Sequence, residues 1–145
     1  MRVLREWLGR AFLKASAGAS LPPIEVRGLL GLGPGLTPSG DDFLGGALIA
    51  LRTINKVESA IKLWEGIAVS VPTSTNEISS AQLFAASHGY GADSVHRLLN
   101  SIFTHKIGEF LQDRKLVENI GHTSGCDIML GCKMVIETWI KSENN

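Results

Sequence analysis

Two eight-residue segments, 85 residues apart, carry the same pattern, and that pattern restricts the fold more than any other feature of the chain. Ser39-Gly40-Asp41-Asp42-Phe43-Leu44-Gly45-Gly46 aligns without gaps on Ser124-Gly125-Cys126-Asp127-Ile128-Met129-Leu130-Gly131 as S-G-x-D-x-x-x-G, and an apolar helical run follows each. The simplest reading is a pair of capping boxes. Each Ser would accept from the amide three residues on, and each Asp would return to the Ser amide, worth about 0.5–2 kcal/mol per helix start. Ser74-Thr75-Asn76-Glu77 offers the same logic before a further helix.

Capping leaves the glycines unexplained. Gly46 and Gly131 fall inside the helices, where glycine costs about 1 kcal/mol relative to alanine. Gly40 and Gly125 have no propensity reason to be glycine either. All four make sense if the two helices cross closely about a local pseudo-twofold, their first turns side by side. Converging helix starts concentrate positive dipole ends, which suits an anion. Asp41, Asp42 and Asp127 bring opposing charge, so a free anion would need a bridging cation such as Mg²⁺. Capping alone and a ligand site are therefore the two readings of the repeated turn. Asp42 and Asp127 are expected to be buried, hydrogen-bonded and held at depressed pKa by those bonds. Asp41, opposite Cys126 in the alignment, is expected to be free to face outward or toward a ligand.

Upstream lies the least regular stretch, Gly28-Leu29-Leu30-Gly31-Leu32-Gly33-Pro34-Gly35-Leu36-Thr37-Pro38. Its glycines and prolines forbid a regular helix, and the interspersed leucines predict a loop that is partly buried. Buried irregular backbone is tolerated mainly where it approaches other backbone or a ligand. Gly31-Leu32-Gly33-Pro34-Gly35 is not a dinucleotide fingerprint, because the third glycine is misplaced and Pro34 lacks an amide donor. Ser39 lacks the flanking pattern of a nucleophilic serine.

Elsewhere the apolar spacing is helical: residues 3–16, ended by Gly18, then a run from Ser39 to Ile54, then 57–70, 75–88, 92–105, 107–120 and 124–141. The expected fold is mainly α, a compact bundle of six or seven helices around a buried Gly/Pro-rich loop. The alternative is α+β with a short edge strand at 24–30. No linker divides the 145 residues, so residues 1–145 read as one domain. Lys and Arg balance Asp and Glu at 14 each, which removes the basic footprint of a nucleic-acid binder. The longest apolar run, Phe43–Leu51, is too short to span a membrane, and the charged start is not a signal peptide. A cytoplasmic protein is expected. Cys126 and Cys132 lie about 600° apart on a helix, so they do not pair, and both are expected to be buried thiols. His88, His96 and His105 read as surface residues. His122, beside the second turn, is the only histidine near a candidate site.

At these residues the sequence resembles a bacterial family described as similar to the AllH subunit of oxamate carbamoyltransferase. The resemblance is carried by Leu30–Gly46, by Glu77-Ile78-Ser79 with Leu83 and Ala86, and by Gly121-His122-Thr123-Ser124-Gly125-Cys126-Asp127 ending at Gly131. It covers only the C-terminal half of family members, which are commonly about twice this length. It implies partner subunits, or a homo-oligomer, and a ligand bearing phosphate or carboxylate, such as carbamoyl phosphate or a small 2-oxo acid amide. The candidate ligand-binding set is Gly33, Gly35, Thr37, Ser39, Gly40, Asp41, Asp42, His122, Thr123, Ser124, Gly125 and Asp127. A carbamoyl-transfer site would use backbone amides with Thr37, Ser39, Thr123 and Ser124 to hold developing charge. No catalytic residue and no cofactor follow from the sequence, Mg²⁺ being the one candidate ion. The competing reading is a noncatalytic helical interaction module whose glycine turns only pack.

Overall fold

The computed structural model describes residues 1–13 and 20–144, and among them every regular element is helical. The α-helices are α1 (Arg2–Leu13), α2 (Ser39–Thr53), α3 (Val57–Ala68), α4 (Val71–Ser74), α5 (Glu77–Ser87), α6 (Asp93–Phe103), α7 (Ile107–Glu118) and α8 (Ser124–Glu143). Ile24–Leu29 forms a 3-10 helix, so the edge strand considered at 24–30 is absent. Pro22 and Pro23 precede that segment, and its amides turn back locally: Val26 donates to Pro23 O at 3.0 Å. The expected end of α1 at Gly18, with residues 14–16, lies outside the described residues. No described helix is long and apolar enough to cross a membrane.

α2 is the central rod. Phe43, Leu44, Ala47, Leu48, Ile49, Ala50 and Leu51 are all buried, so the helix is apolar around most of its circumference. A helix of that kind needs neighbours on several sides. α8 covers one side, α5 and α3 cover others, α1 packs on α8, and α7, paired with α6, also packs on α8. Trp7, Leu8, Leu63, Ile67, Leu99, Val117 and Val135 complete the same core.

The α2–α8 contact is set by two glycines. A Cβ built on Gly46 would lie 2.1 Å from the Ile128 carbonyl oxygen, and one on Gly131 would lie 2.0 Å from that of Phe43. The relation is reciprocal, since Phe43 and Ile128 are themselves aligned positions of the two motifs. Side chains are excluded from the crossing by main chain on both sides. The glycine cost in helix propensity is thus offset by the close approach of two apolar helices. The other pair of motif glycines packs backward. A Cβ on Gly40 would strike Leu29 O at 1.9 Å, and one on Gly125 would strike Val117 O at 1.8 Å.

The loop leading to α2 is not buried as expected. Leu30 and Pro38 are buried anchors, but residues 32–36 are exposed, with Leu32 at 57% and Leu36 at 72%. Water can therefore satisfy its backbone, which removes the cost that a buried loop would carry. Seven residues separate Leu32 from Gly40, whereas four separate Ile120 from Gly125. The contacts at the ends match: Gly40 N donates to Leu32 O at 2.9 Å, and Gly125 N to Ile120 O at 3.0 Å. The glycine–proline stretch is thus a three-residue excursion on a turn that both halves share.

Of the cysteines, Cys132 is buried with its Sγ directed to Gly46 O at 3.3 Å, while Cys126 is exposed, contrary to expectation. Burial pushes the Cys132 thiol up to about 12. A thiolate-selective label at neutral pH is expected to modify one cysteine in the native protein and two after denaturation. Mass spectrometry checks this, and native labelling of Cys132 would contradict the packing described.

Candidate functional site

The two helix starts stand side by side. Thr37 Oγ1 and Ser124 Oγ lie 2.7 Å apart, a hydrogen bond between residues 87 positions apart in sequence. Neither helix uses its motif serine as a cap. Ser39 and Ser124 are the first helical residues, Pro38 and Thr123 precede them, and no side chain caps either end. The reason is geometric: Asp41 N and Asp42 N donate to Pro38 O at 2.9 and 3.1 Å, and Asp127 N to Thr123 O at 3.1 Å. With those amides turned onto the backbone, the serine and aspartate side chains are released. The amides at Gly40 and Gly125 are engaged as well, so the open anion cradle expected at the helix starts is not formed by these groups. The cap expected from Ser74 is supplied instead by Asn76, which accepts from Ser79 N at 3.0 Å.

The three acidic residues divide differently from expectation. Asp41 is 3% exposed and works as a structural clasp. Its Oδ1 accepts from Gly31 N at 2.8 Å, and its Oδ2 accepts from the Thr75 hydroxyl. It thereby ties the loop and the start of α5 to α2, and it is not free to face a ligand. Asp42 is 7% exposed, and its Oδ2 has no hydrogen-bond partner. Burial pushes its carboxyl above the ordinary value, only partly countered by the Ser124 and Thr37 hydroxyls, while Asp127 and Asp41 add to the upward push. The depression expected for Asp42 is thus reversed, because loss of hydration outweighs the hydroxyl contacts. Asp127 is half-buried, and its Oδ2 is also buried without a partner.

A folded-state pKa above 3.8 means the folded protein holds a proton that the unfolded chain releases. This stabilisation is complete below 3.8 and is lost as pH rises through the higher folded value. Asp42→Asn lacks the loss, so its unfolding midpoint is expected to gain on wild type as pH rises from about 4 to about 8. Urea unfolding across that range tests it. A variant that falls steadily behind wild type would contradict the burial of Asp42.

Asp42, Thr37 and Ser124 form the polar end of a cleft of about 560 Å³. α5 supplies Ser79, Gln82 and Leu83, the α5–α6 connection supplies Tyr90, and Ile49, Val95, Ile120 and Ile128 make apolar wall. No Lys or Arg lines it. Of the sequence-selected residues, Thr37, Asp41, Asp42 and Ser124 line the cleft. Ser39, Gly40, Gly125 and Asp127 belong to the adjacent helix starts without lining it. Gly33 and Gly35 sit on the exposed loop, and His122 and Thr123 are exposed outside the cleft. His88 and His105 are at the surface, whereas His96 is half-buried. Gln82 and Tyr90 carry no motif and were invisible to motif reading; Ser79 was marked only by resemblance. Among the described residues, no group of three or more His, Cys, Asp or Glu is gathered where it could hold a metal ion.

The model of the family described as oxamate carbamoyltransferase subunit AllH matches residues 29–136, which is most of the chain and includes both motifs. The chain belongs to the AllH family. The matched span begins at the last residue of the 3-10 helix and ends within α8, so the helix crossing and the cleft both lie inside it. No solved structure matches this AllH chain.

Proposed function

We propose that this AllH-family chain is a subunit of a carbamoyl-transfer enzyme and holds a small carbamoyl, carboxamide or carboxylate compound in the cleft between α2, α5 and the start of α8. The observation that carries the reading is Asp42, buried with the Thr37–Ser124 hydroxyl pair at one end of an otherwise largely apolar cleft. Small-molecule sites are commonly of this size and combine apolar walls with a few fixed polar groups. The cleft brings no cation of its own, so the phosphate of carbamoyl phosphate would draw its counter-charge from Mg²⁺ or from a partner subunit. A cytoplasmic, multi-subunit setting fits that division of labour.

Thermal unfolding with oxamate or carbamoyl phosphate, each with and without Mg²⁺, tests the proposal. A ligand at 100 times its Kd adds about 2.7 kcal/mol. For a chain of this size that is a rise in Tm of roughly 5–10 °C. Ser124→Val is expected to remove the shift while leaving the protein folded. No shift with any compound would favour the interaction module. That second reading has an observation of its own, an apolar groove of about 580 Å³ between α6, α7 and α8, edged by Arg114, Glu118, Lys133 and Glu137.

A further inference from the structure

We propose that a second copy of this chain docks on the open face of α8, helix against helix and antiparallel, so that Lys133 of each copy meets Glu137 of the other. Along α8, Cys126, Leu130, Lys133, Glu137 and Ile140 follow one another at alternating steps of four and three. On a helix that spacing confines them to an arc of about 80°, a single stripe of the kind that seats a second helix. The stripe is open to solvent. Cys126 is exposed, Leu130 and Ile140 are 48% and 49% exposed, and Lys133 and Glu137 form a solvent-facing pair at 3.7 Å. Beside it runs the apolar groove lined by Leu98, Ile102, Phe110 and Ile136.

The internal repeat marks this stripe as a helix seat. In the first half of the repeat, the equivalent stripe of α2 carries α5. Asp41 accepts from the Thr75 hydroxyl, a Cβ on Gly45 would meet Ala86 Cβ at 3.9 Å, and Arg52 Nε donates to Ser87 O at 2.7 Å. The aligned positions on α8 are Cys126, Leu130 and Glu137, and there the surface is open. Charge and register decide what fits it. An antiparallel α8 centred on Val135 sets Lys133 on the partner's Glu137 and Leu130 on the partner's Ile140, and the two-fold axis repeats both pairings. A parallel α8 would instead face Lys133 with Lys133 and Glu137 with Glu137, like charge on like. Sliding the antiparallel helix by one heptad would set Leu130 on Lys133 or Ile140 on Glu137. Only the centred antiparallel register pairs apolar with apolar and cation with anion throughout. Leu130, Lys133, Glu137 and Ile140 do not line the cleft, so the contact is independent of the ligand proposed there.

Analytical ultracentrifugation of the whole chain reads the contact, with circular dichroism to show that each variant is folded. Wild type is expected to be a dimer. Lys133→Glu sets Glu on Glu twice across the two-fold, and Glu137→Lys sets Lys on Lys twice. Each is expected to dimerise about a hundredfold more weakly than wild type. Both positions are solvent-facing, and the Lys133–Glu137 pair within one helix adds little to folding. Mixing the two single variants in equal amounts restores opposite charges at both pairings, and so does Lys133→Glu/Glu137→Lys in one chain. Both are expected to return the wild-type dimer. A monomeric wild type overturns the proposal and leaves the face to a different subunit. Single variants that dimerise as well as wild type overturn it too. So does a mixture that stays monomeric, because a merely structural defect in one chain would not be repaired by the other.

Discussion

Adding one methyl group at Gly46 or Gly131 is expected to destabilise the protein by about 1–3 kcal/mol, although alanine is the better helix former by about 1 kcal/mol. The new Cβ would lie 2.1 or 2.0 Å from a carbonyl oxygen of the facing helix. Those obstacles are main chain inside a regular helix, so no rotamer change relieves them, and α2 and α8 must move apart. Separation opens gaps around Phe43, Leu48 and Val135, which compounds the loss. Gly45 is the internal control. A Cβ there would meet Ala86 Cβ at 3.9 Å, an ordinary contact, so Gly45→Ala is expected to be neutral or stabilising. The double variant Gly46→Ala/Gly131→Ala should lose less than the sum of the singles, because one separation of the helices accommodates both methyls. Urea unfolding of the four variants tests this. A Gly46→Ala as stable as Gly45→Ala would mean the crossing is looser than described.

Asp41→Ala is expected to cost about 2–4 kcal/mol, well beyond the effect of any change at Asp42. It removes the acceptor for Gly31 N and for the Thr75 hydroxyl from a site that is almost fully buried. Both the loop and the start of α5 lose their fastening to α2. The loss of stability should come with faster amide exchange near Gly31 and Thr75. Asp42→Asn should move in the other direction at neutral pH. Matching losses from Asp41→Ala and Asp42→Asn would contradict the separation between a paired and an unpaired carboxylate.

The sequence led to the opposite division of these two aspartates, and the reason is instructive. A capping box is a local rule, and it assigns Asp42 to the cap and leaves Asp41 over. The partners of Asp41 lie 10 and 34 residues away, where no local rule looks. The cap itself was displaced by the carbonyls of Pro38 and Thr123, which took the amides first. What was legible came from costs that have only one remedy. Interior glycines at matching positions imply close helix approach, and the approach is there. Apolar periodicity placed the helices to within a few residues, because each buries one face in a common core. The loop was misjudged because leucine was equated with burial, whereas Leu32 and Leu36 face solvent. Of the cleft, Asp41, Asp42 and Ser124 were visible through the repeated motif, and Thr37 through the loop that precedes it. Gln82 and Tyr90 belong to no pattern and join the cleft only through the docking of α5 on α2.

The hydroxyl contact between Thr37 and Ser124 also bears on biosynthesis. One wall of the cleft is finished early in translation, but its polar end is absent until α8 has been made. A nascent chain paused before Ser124 presents the apolar flank of α2, including Phe43 and Ala47, to solvent with nothing yet available to cover it. Such intermediates are natural clients for chaperones. The same order of events means that an incomplete chain, even one that retains α1 to α7, lacks the Ser124 side of the cleft.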